Sequence, residues 1–163
     1  MRCALPDPAA AGVSADSAIV HATAVAIGGR AVLLRGPSGS GKSDLALRLI
    51  DAGACLISDD YSQLRRETDA ILVRAPEPIS GLLEVRGIGI LRVETLTAAP
   101  VGLIADLVAP QHVERLPEPR SETIFGLSIP VVEIAPFEAS APAKLRFALA
   151  ALTGGGTGPV RMP

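Results

Sequence analysis

Gly36, Pro37, Ser38, Gly39, Ser40, Gly41, Lys42 and Ser43 match the pattern G-x-x-x-x-G-K-[ST] at every fixed position. The run before them, 31–35, is apolar and strand-like, and the run after them, 44–51, carries apolar residues at helical spacing. The motif therefore lies between a strand and a helix N-terminus, the one place where its chemistry works. Glycines let successive backbone N–H groups turn inward around a phosphate, and the helix dipole adds partial positive charge at the same point. In such a loop Lys42 reaches the outer phosphates, and the Ser43 hydroxyl is a Mg²⁺ ligand. A chain with this constraint must build a strand, a tight loop and a helix in register, so it belongs to the α/β class.

The remaining sequence decides what kind of α/β domain this is. The length, 163 residues, suits one domain. Aromatic residues make up only 2% against 48% hydrophobic residues, so the core must be built from Ala, Val, Leu and Ile. Segment 17–27 reads as a strand that Gly28-Gly29 turns back into Arg30–Arg35, a hairpin whose second strand feeds the loop. A helix over 41–51 stops at Gly53, and 54–58 is a short buried strand ending at Asp59-Asp60. Tyr61–Glu67 and Ala70–Arg74 flank Thr68-Asp69 as a second hairpin. The pattern predicts a short helix over 79–83, and strands over 101–108, 123–125 and 129–134. It predicts an exposed loop over 110–121 and a helix over 142–152 capped by Ser140. Hairpins outnumber helices, and the regular strand–helix alternation of a doubly wound fold is missing. The expectation is a mixed, largely antiparallel sheet with few helices. Residues 1–16 read as a flexible N-terminus, 17–152 as the catalytic domain, and 153–163 as a disordered Gly/Pro tail.

Composition also excludes classes. A net charge of −2 argues against a nucleic-acid surface. No apolar run is long enough to span a bilayer, and the first residues lack the apolar core of a signal peptide. Cys3 and Cys55 suggest neither a disulfide framework nor a metal site, so a cytoplasmic location is expected.

Phosphoryl transfer needs a phosphate cradle, a metal, a base near the acceptor and cations to balance charge. Asp59 and Asp60, just past a short strand, are candidates for the metal ligand and the base, and read alone they are equally a solvated turn. Glu84 and Arg86 flank Val85, so an extended chain would aim both to one side. Read alone they are also an exposed ion pair. His21, in a strand, and Arg115, in a polar loop, have the ordinary reading of surface or packed residues.

Together, His21-Ala, the loop from Gly36 to Ser43, Ser58-Asp-Asp60, Glu84-Val-Arg-Gly-Ile-Gly-Ile90 and Glu114-Arg-Leu116 resemble the HPr kinase/phosphorylase family in content, order and spacing. The resemblance covers about residues 17–135. It implies a domain similar to the phosphoenolpyruvate carboxykinase nucleotide site, using ATP and Mg²⁺ to phosphorylate a serine of HPr, the phosphocarrier of the sugar phosphotransferase system. It implies His21, Lys42, Asp59, Asp60, Arg86 and Arg115 as active-site residues. Among these Asp60 is the proton acceptor, and Ser43, Glu84 and Asp60 are the metal ligands. Family members assemble as hexamers, which makes a homo-oligomer a candidate state. The chain looks like a short form that holds the catalytic domain only. The family's late motif for phosphate removal is replaced by Ile134-Ala-Pro-Phe-Glu-Ala-Ser-Ala-Pro-Ala-Lys144, so only the kinase direction is expected. The alternatives to weigh are a small-molecule kinase on the same scaffold, with a different acceptor pocket, and a nucleotide-binding regulatory module without transferase activity.

Overall fold

The computed structural model describes residues 16–77 and 81–154. Eleven strands and two helices follow one another as β1 (Ser17–His21), β2 (Thr23–Ile27), β3 (Arg30–Arg35), α1 (Lys42–Asp51), β4 (Cys55–Ser58), β5 (Tyr61–Glu67) and β6 (Ala70–Arg74). Then come β7 (Leu82–Val85), β8 (Gly89–Arg92), β9 (Ala98–Leu107), a single 3₁₀ turn at Pro110–His112, β10 (Arg120–Ile124), β11 (Leu127–Ile134) and α2 (Ala141–Leu152).

Nine strands form one sheet in the order β1-β5-β6-β9-β3-β2-β4, with β11 joined to β9 and β10 to β11. Its pairs are antiparallel except β3·β9 and β9·β11. β9 is the spine: its first residues pair with β6, its middle with β3, and Ile104 to Leu107 with β11. β7 and β8 make a separate two-stranded hairpin. This is the mixed, mostly antiparallel architecture that the hairpin-rich sequence predicts.

Both faces of the sheet are covered, which alternation along the strands makes visible. In β3, Val32 and Leu34 join a cluster with Leu45, Leu49, Leu145 and Leu149 of the two helices. Ala31 and Leu33 face the other way, into a second cluster with Leu64, Ile71, Val73 and Ile129. α1 buries Leu45, Ala46 and Leu49, one stripe of a 3.6-residue period. It ends where Gly53 takes a left-handed φ of 101°, with the Gly53 and Ala54 amides donating back to the Ile50 and Leu49 carbonyls. α2 lies close over β9: a Cβ on Gly102 would sit 2.8 Å from the Leu149 side chain.

Several expectations are corrected. Leu82 and Leu83 belong to a strand, not to a helix over 79–83; within that stretch 79 and 80 lie outside the described residues. The glycine-rich 84–90 stretch is the turn of the β7–β8 hairpin, with Val85 opposite Gly89 and the Ile88 amide donating to the Val85 carbonyl. The 110–121 loop holds the 3₁₀ turn and gives its last two residues to β10. Ser140 occupies the N-cap position of α2 but makes no side-chain capping bond. Of the segments read as loose ends, 1–15 and 155–163 lie outside the described residues. No described helix is long and apolar enough to cross a membrane.

Candidate active site

β3 delivers the chain to the loop, and its last residue is fixed. Arg35 pairs across the sheet with Asp106 of β9. It makes a two-pronged bond to that carboxylate, Nε at 2.8 Å and Nη2 at 3.1 Å, and a further bond to Glu122 at 2.7 Å. The Asp106 carboxylate raises the Arg35 pKa above its ordinary value, opposed by burial and reinforced by Glu122. The guanidinium thus ties the strand end to β9 and β10 directly before Gly36.

Across the loop, Gly39 and Gly41 have left-handed φ of 82° and 99°. Gly41 is the N-cap of α1, and its carbonyl accepts from the Leu45 amide at 2.9 Å. A Cβ there would stand 2.9 Å from the exposed Phe137 ring, which would have to shift, and the left-handed backbone angle favours glycine. Lys42, 5% exposed, folds back so that Nζ donates to the carbonyls of Gly36 at 2.8 Å and Pro37 at 3.2 Å. The Ser40 hydroxyl is buried without a partner among the described residues.

Asp59 and Asp60 follow β4 and point to different partners. Asp59 Oδ1 accepts from the Ser43 hydroxyl at 2.8 Å and from the Thr23 hydroxyl at 3.0 Å; its Oδ2 accepts from the Glu84 amide at 3.3 Å. Asp60 has a left-handed φ of 67°, rare for a residue other than glycine. Its carboxylate lies 2.7 Å from His21 Nε2 and 3.8 Å from Lys42 Nζ. Its amide donates to the Thr23 hydroxyl at 3.0 Å. The β1–β5 register sets His21 opposite Tyr61, whose ring lies 5.3 Å from the imidazole at a 38° tilt.

These residues border a cavity of about 410 Å³ lined by Ser38, Gly39, Gly41–Asp44, Leu47, Asp59, Asp60, Glu84–Arg86 and Phe137. Lys42, Ser43, Asp59, Asp60, Glu84 and Arg86 are therefore brought together, and His21 joins them through Asp60. Arg115 is not brought in. It sits in the exposed loop after the 3₁₀ turn and is neither part of the lining nor bonded to it. Of the metal candidates, the carboxylate beside Ser43 is Asp59, while that of Asp60 faces His21 and Lys42.

Sequence reasoning missed Thr23 and Phe137. Thr23 is fully buried and polar, and its hydroxyl bridges both aspartates. Its position two residues after His21 is the signal that was available. Phe137 had none, since its place beside the loop depends on how β11 returns.

The family model of the HPr Serine kinase C-terminal domain matches residues 13–144, a span that contains every residue of this site. The chain belongs to that family. Within the family it is similar to the HPr kinase/phosphorylase of Halalkalibacterium halodurans, 48% identical over 86 residues, and to that of Bacillus subtilis, 44% identical over 86 residues. Each alignment covers 52% of this chain and 28% of the relative, so the aligned part is under a third of these relatives' length. Among solved structures, the Hpr(Ser) kinase/phosphatase from Coxiella burnetii superposes with a TM-score of 0.70 at 29% identity. That match covers 78% of this chain and 86% of the other.

Proposed function

We propose that this domain transfers the terminal phosphoryl group of ATP to a serine hydroxyl of HPr. The observation that carries the reading is the divergence of two neighbouring carboxylates, Asp59 towards Ser43 and Asp60 towards His21 and Lys42. A metal-side oxygen and a base-side oxygen are what phosphoryl transfer requires in one place. Adjacent strand residues face opposite ways; here the strand ends at Ser58, and the left-handed turn at Asp60 re-aims the second carboxylate.

The residues fit a Mg²⁺ ion. Ser43 Oγ and Asp59 Oδ1 are hard oxygens 2.8 Å apart, and Glu84 lines the same cavity. Among the described residues no group of three or more His, Cys, Asp or Glu forms a ready cage. That suits Mg²⁺, which completes its shell with substrate phosphates and water. Ser43, Asp59 and Glu84 would hold it, and it would neutralise charge on the phosphate oxygens.

The protein's own groups do the rest. The loop amides and Lys42 bind the phosphates, with Lys42 exchanging a loop carbonyl for a phosphate oxygen. The orphaned Ser40 hydroxyl gains an acceptor in the same loop. His21 Nε2–H holds Asp60 through Oδ1, which leaves Oδ2 to accept the proton of the attacking serine. As that oxygen bonds to the terminal phosphorus, the bond from phosphorus to the bridging oxygen breaks and ADP leaves. Arg86, which bonds no other described residue, lies on the cavity rim where it can meet the transferred group or the acceptor.

The test is incubation with terminally labelled ATP, Mg²⁺ and HPr. The expected result is label on an HPr serine, lost with Asp60→Asn. Nucleotide turnover that never labels HPr would move the reading to a small-molecule acceptor, and binding without turnover to a regulatory module.

A further inference from the structure

Resting on the reading of the cavity as a nucleotide site, we infer that Phe137 is the platform on which the base of the bound nucleotide stacks. The chain has only three Phe and one Tyr, in a protein whose core is aliphatic. An aromatic ring is normally spent on burial. Phe137 and Phe147 are each 70% exposed and Tyr61 is 50% exposed, but of these rings Phe137 is the one that borders the cavity, beside Gly41, Lys42 and Leu47.

The ring's position is built. Arg48, on the second turn of α1, is bonded to Asp44 at 3.0 and 2.8 Å. The same guanidinium donates to the carbonyl of Pro136 and, at 3.2 Å, to that of Glu138. The carbonyls on either side of Phe137 are thus pinned to the helix that starts the phosphate loop. The Ala141 amide donates to Glu138 at 3.0 Å and closes the turn into α2. With its backbone fixed on both sides, the ring packs on Gly41, where a Cβ would come within 2.9 Å of Cζ and 3.0 Å of Cε1. Little entropy remains to be lost when a planar group lies on it.

The chemistry selects the occupant. Most of the lining is loop backbone, hydroxyl, carboxylate, ammonium and guanidinium, which serve phosphates and metal. Phe137 supplies an open aromatic surface next to the loop, and the part of a nucleotide that matches it is the base. The ring has no hydrogen-bonding group, so it favours large bases by area and a purine over a pyrimidine.

Calorimetric titration of the protein with Mg²⁺-ATP and Mg²⁺-tripolyphosphate tests this, because only the first carries a base. For Phe137→Ala, ATP affinity should fall by about tenfold or more, as expected for loss of one base–aromatic stack. Tripolyphosphate affinity and melting temperature should stay as in the parent protein, and Phe137→Trp should keep ATP affinity. Equal ATP affinity in parent and Phe137→Ala would overturn the stacking role, as would an equal loss for both ligands. If the parent protein binds neither ligand, the nucleotide reading itself fails, a result distinct from an unaltered ATP affinity. A Phe137→Ala protein with normal nucleotide affinity but a raised KM for HPr would make the ring an acceptor contact and sink the proposal.

Discussion

The Asp59 carboxylate accepts the Ser43 hydroxyl at 2.8 Å, joining the end of β4 to the first turn of α1. Through Thr23 and the Glu84 amide the same carboxylate also reaches β2 and β7. Four elements therefore meet on one side chain beside the phosphate loop. The neighbouring Asp60 is left for a different partner set.

Asp60→Asn should lower the rate of phosphoryl transfer to HPr by about 10²- to 10⁴-fold, the usual contribution of a positioned base. Mg²⁺-ATP affinity should change little, because Asp60 does not bond the loop hydroxyls. Single-turnover rates and equilibrium binding on the same preparations check the split. Equal loss of both would make Asp60 a binding residue.

Lys42→Ala should reduce transfer by about 10²-fold or more, since on the proposed reading it removes a cation that would balance the charge of the transferring group. The fold should survive, although the Gly36 and Pro37 carbonyls lose their donor. Steady-state kcat together with far-ultraviolet circular dichroism is the check, and near-normal kcat in a folded variant would refute the loop's role.

Thr23→Val keeps shape and removes the hydroxyl that donates to Asp59 and accepts from the Asp60 amide. Leaving a buried partner unpaired costs about 1–3 kcal/mol. At about 2–4 °C per kcal/mol for a chain of this size, the melting temperature should fall by several degrees. Transfer should fall as well, because both aspartates lose their common anchor, and Thr23→Ser should restore both properties. Calorimetric melting and kcat on the three proteins decide it; an unaltered Thr23→Val protein would show that the bridge has no energetic role.

Gly102→Ala places a methyl 2.8 Å from Leu149 and 3.2 Å from Thr153. Overpacking of this kind costs about 1–3 kcal/mol, so α2 should be displaced from β9 and the melting temperature lowered. Pairing it with Leu149→Ala should recover part of the loss, a non-additivity that a double-mutant cycle measures.

Much of the fold was legible because its signals are local. Two-residue turns at Gly28-Gly29 and Thr68-Asp69 follow from chain chemistry, and each joins the strands it was expected to join. Phe125, expected in a strand over 123–125, instead turns with Gly126 between Ile124 and Leu127, at a positive φ of 45°. The stop of α1 at Gly53 is equally local. The stretch over 79–83 was misread because Leu82 and Leu83 take their conformation from pairing with Arg92 and Leu91, nine residues or so downstream. Ser140 has the right type for a cap, but its φ and ψ of −80° and −6° lie in the helical region and it makes no side-chain capping bond. Arg115 was carried by its surrounding motif alone, and its exposed loop leaves it outside the cavity.

By itself the sequence determined the glycine-rich loop over 36–43, the strand and helix that flank it, the aliphatic core and the family, because these depend on residue type and short spacing. That Asp59 and Asp60 meet different partners was decided only by the tertiary structure. Two adjacent carboxylates are chemically identical in sequence, and what separates them is a left-handed turn together with partners from β1, β2 and α1 that lie 16 to 39 residues away. The placement of Phe137 over Gly41 has the same origin. It rests on an arginine of α1 that grips the chain about 90 residues later, a contact that no local pattern encodes.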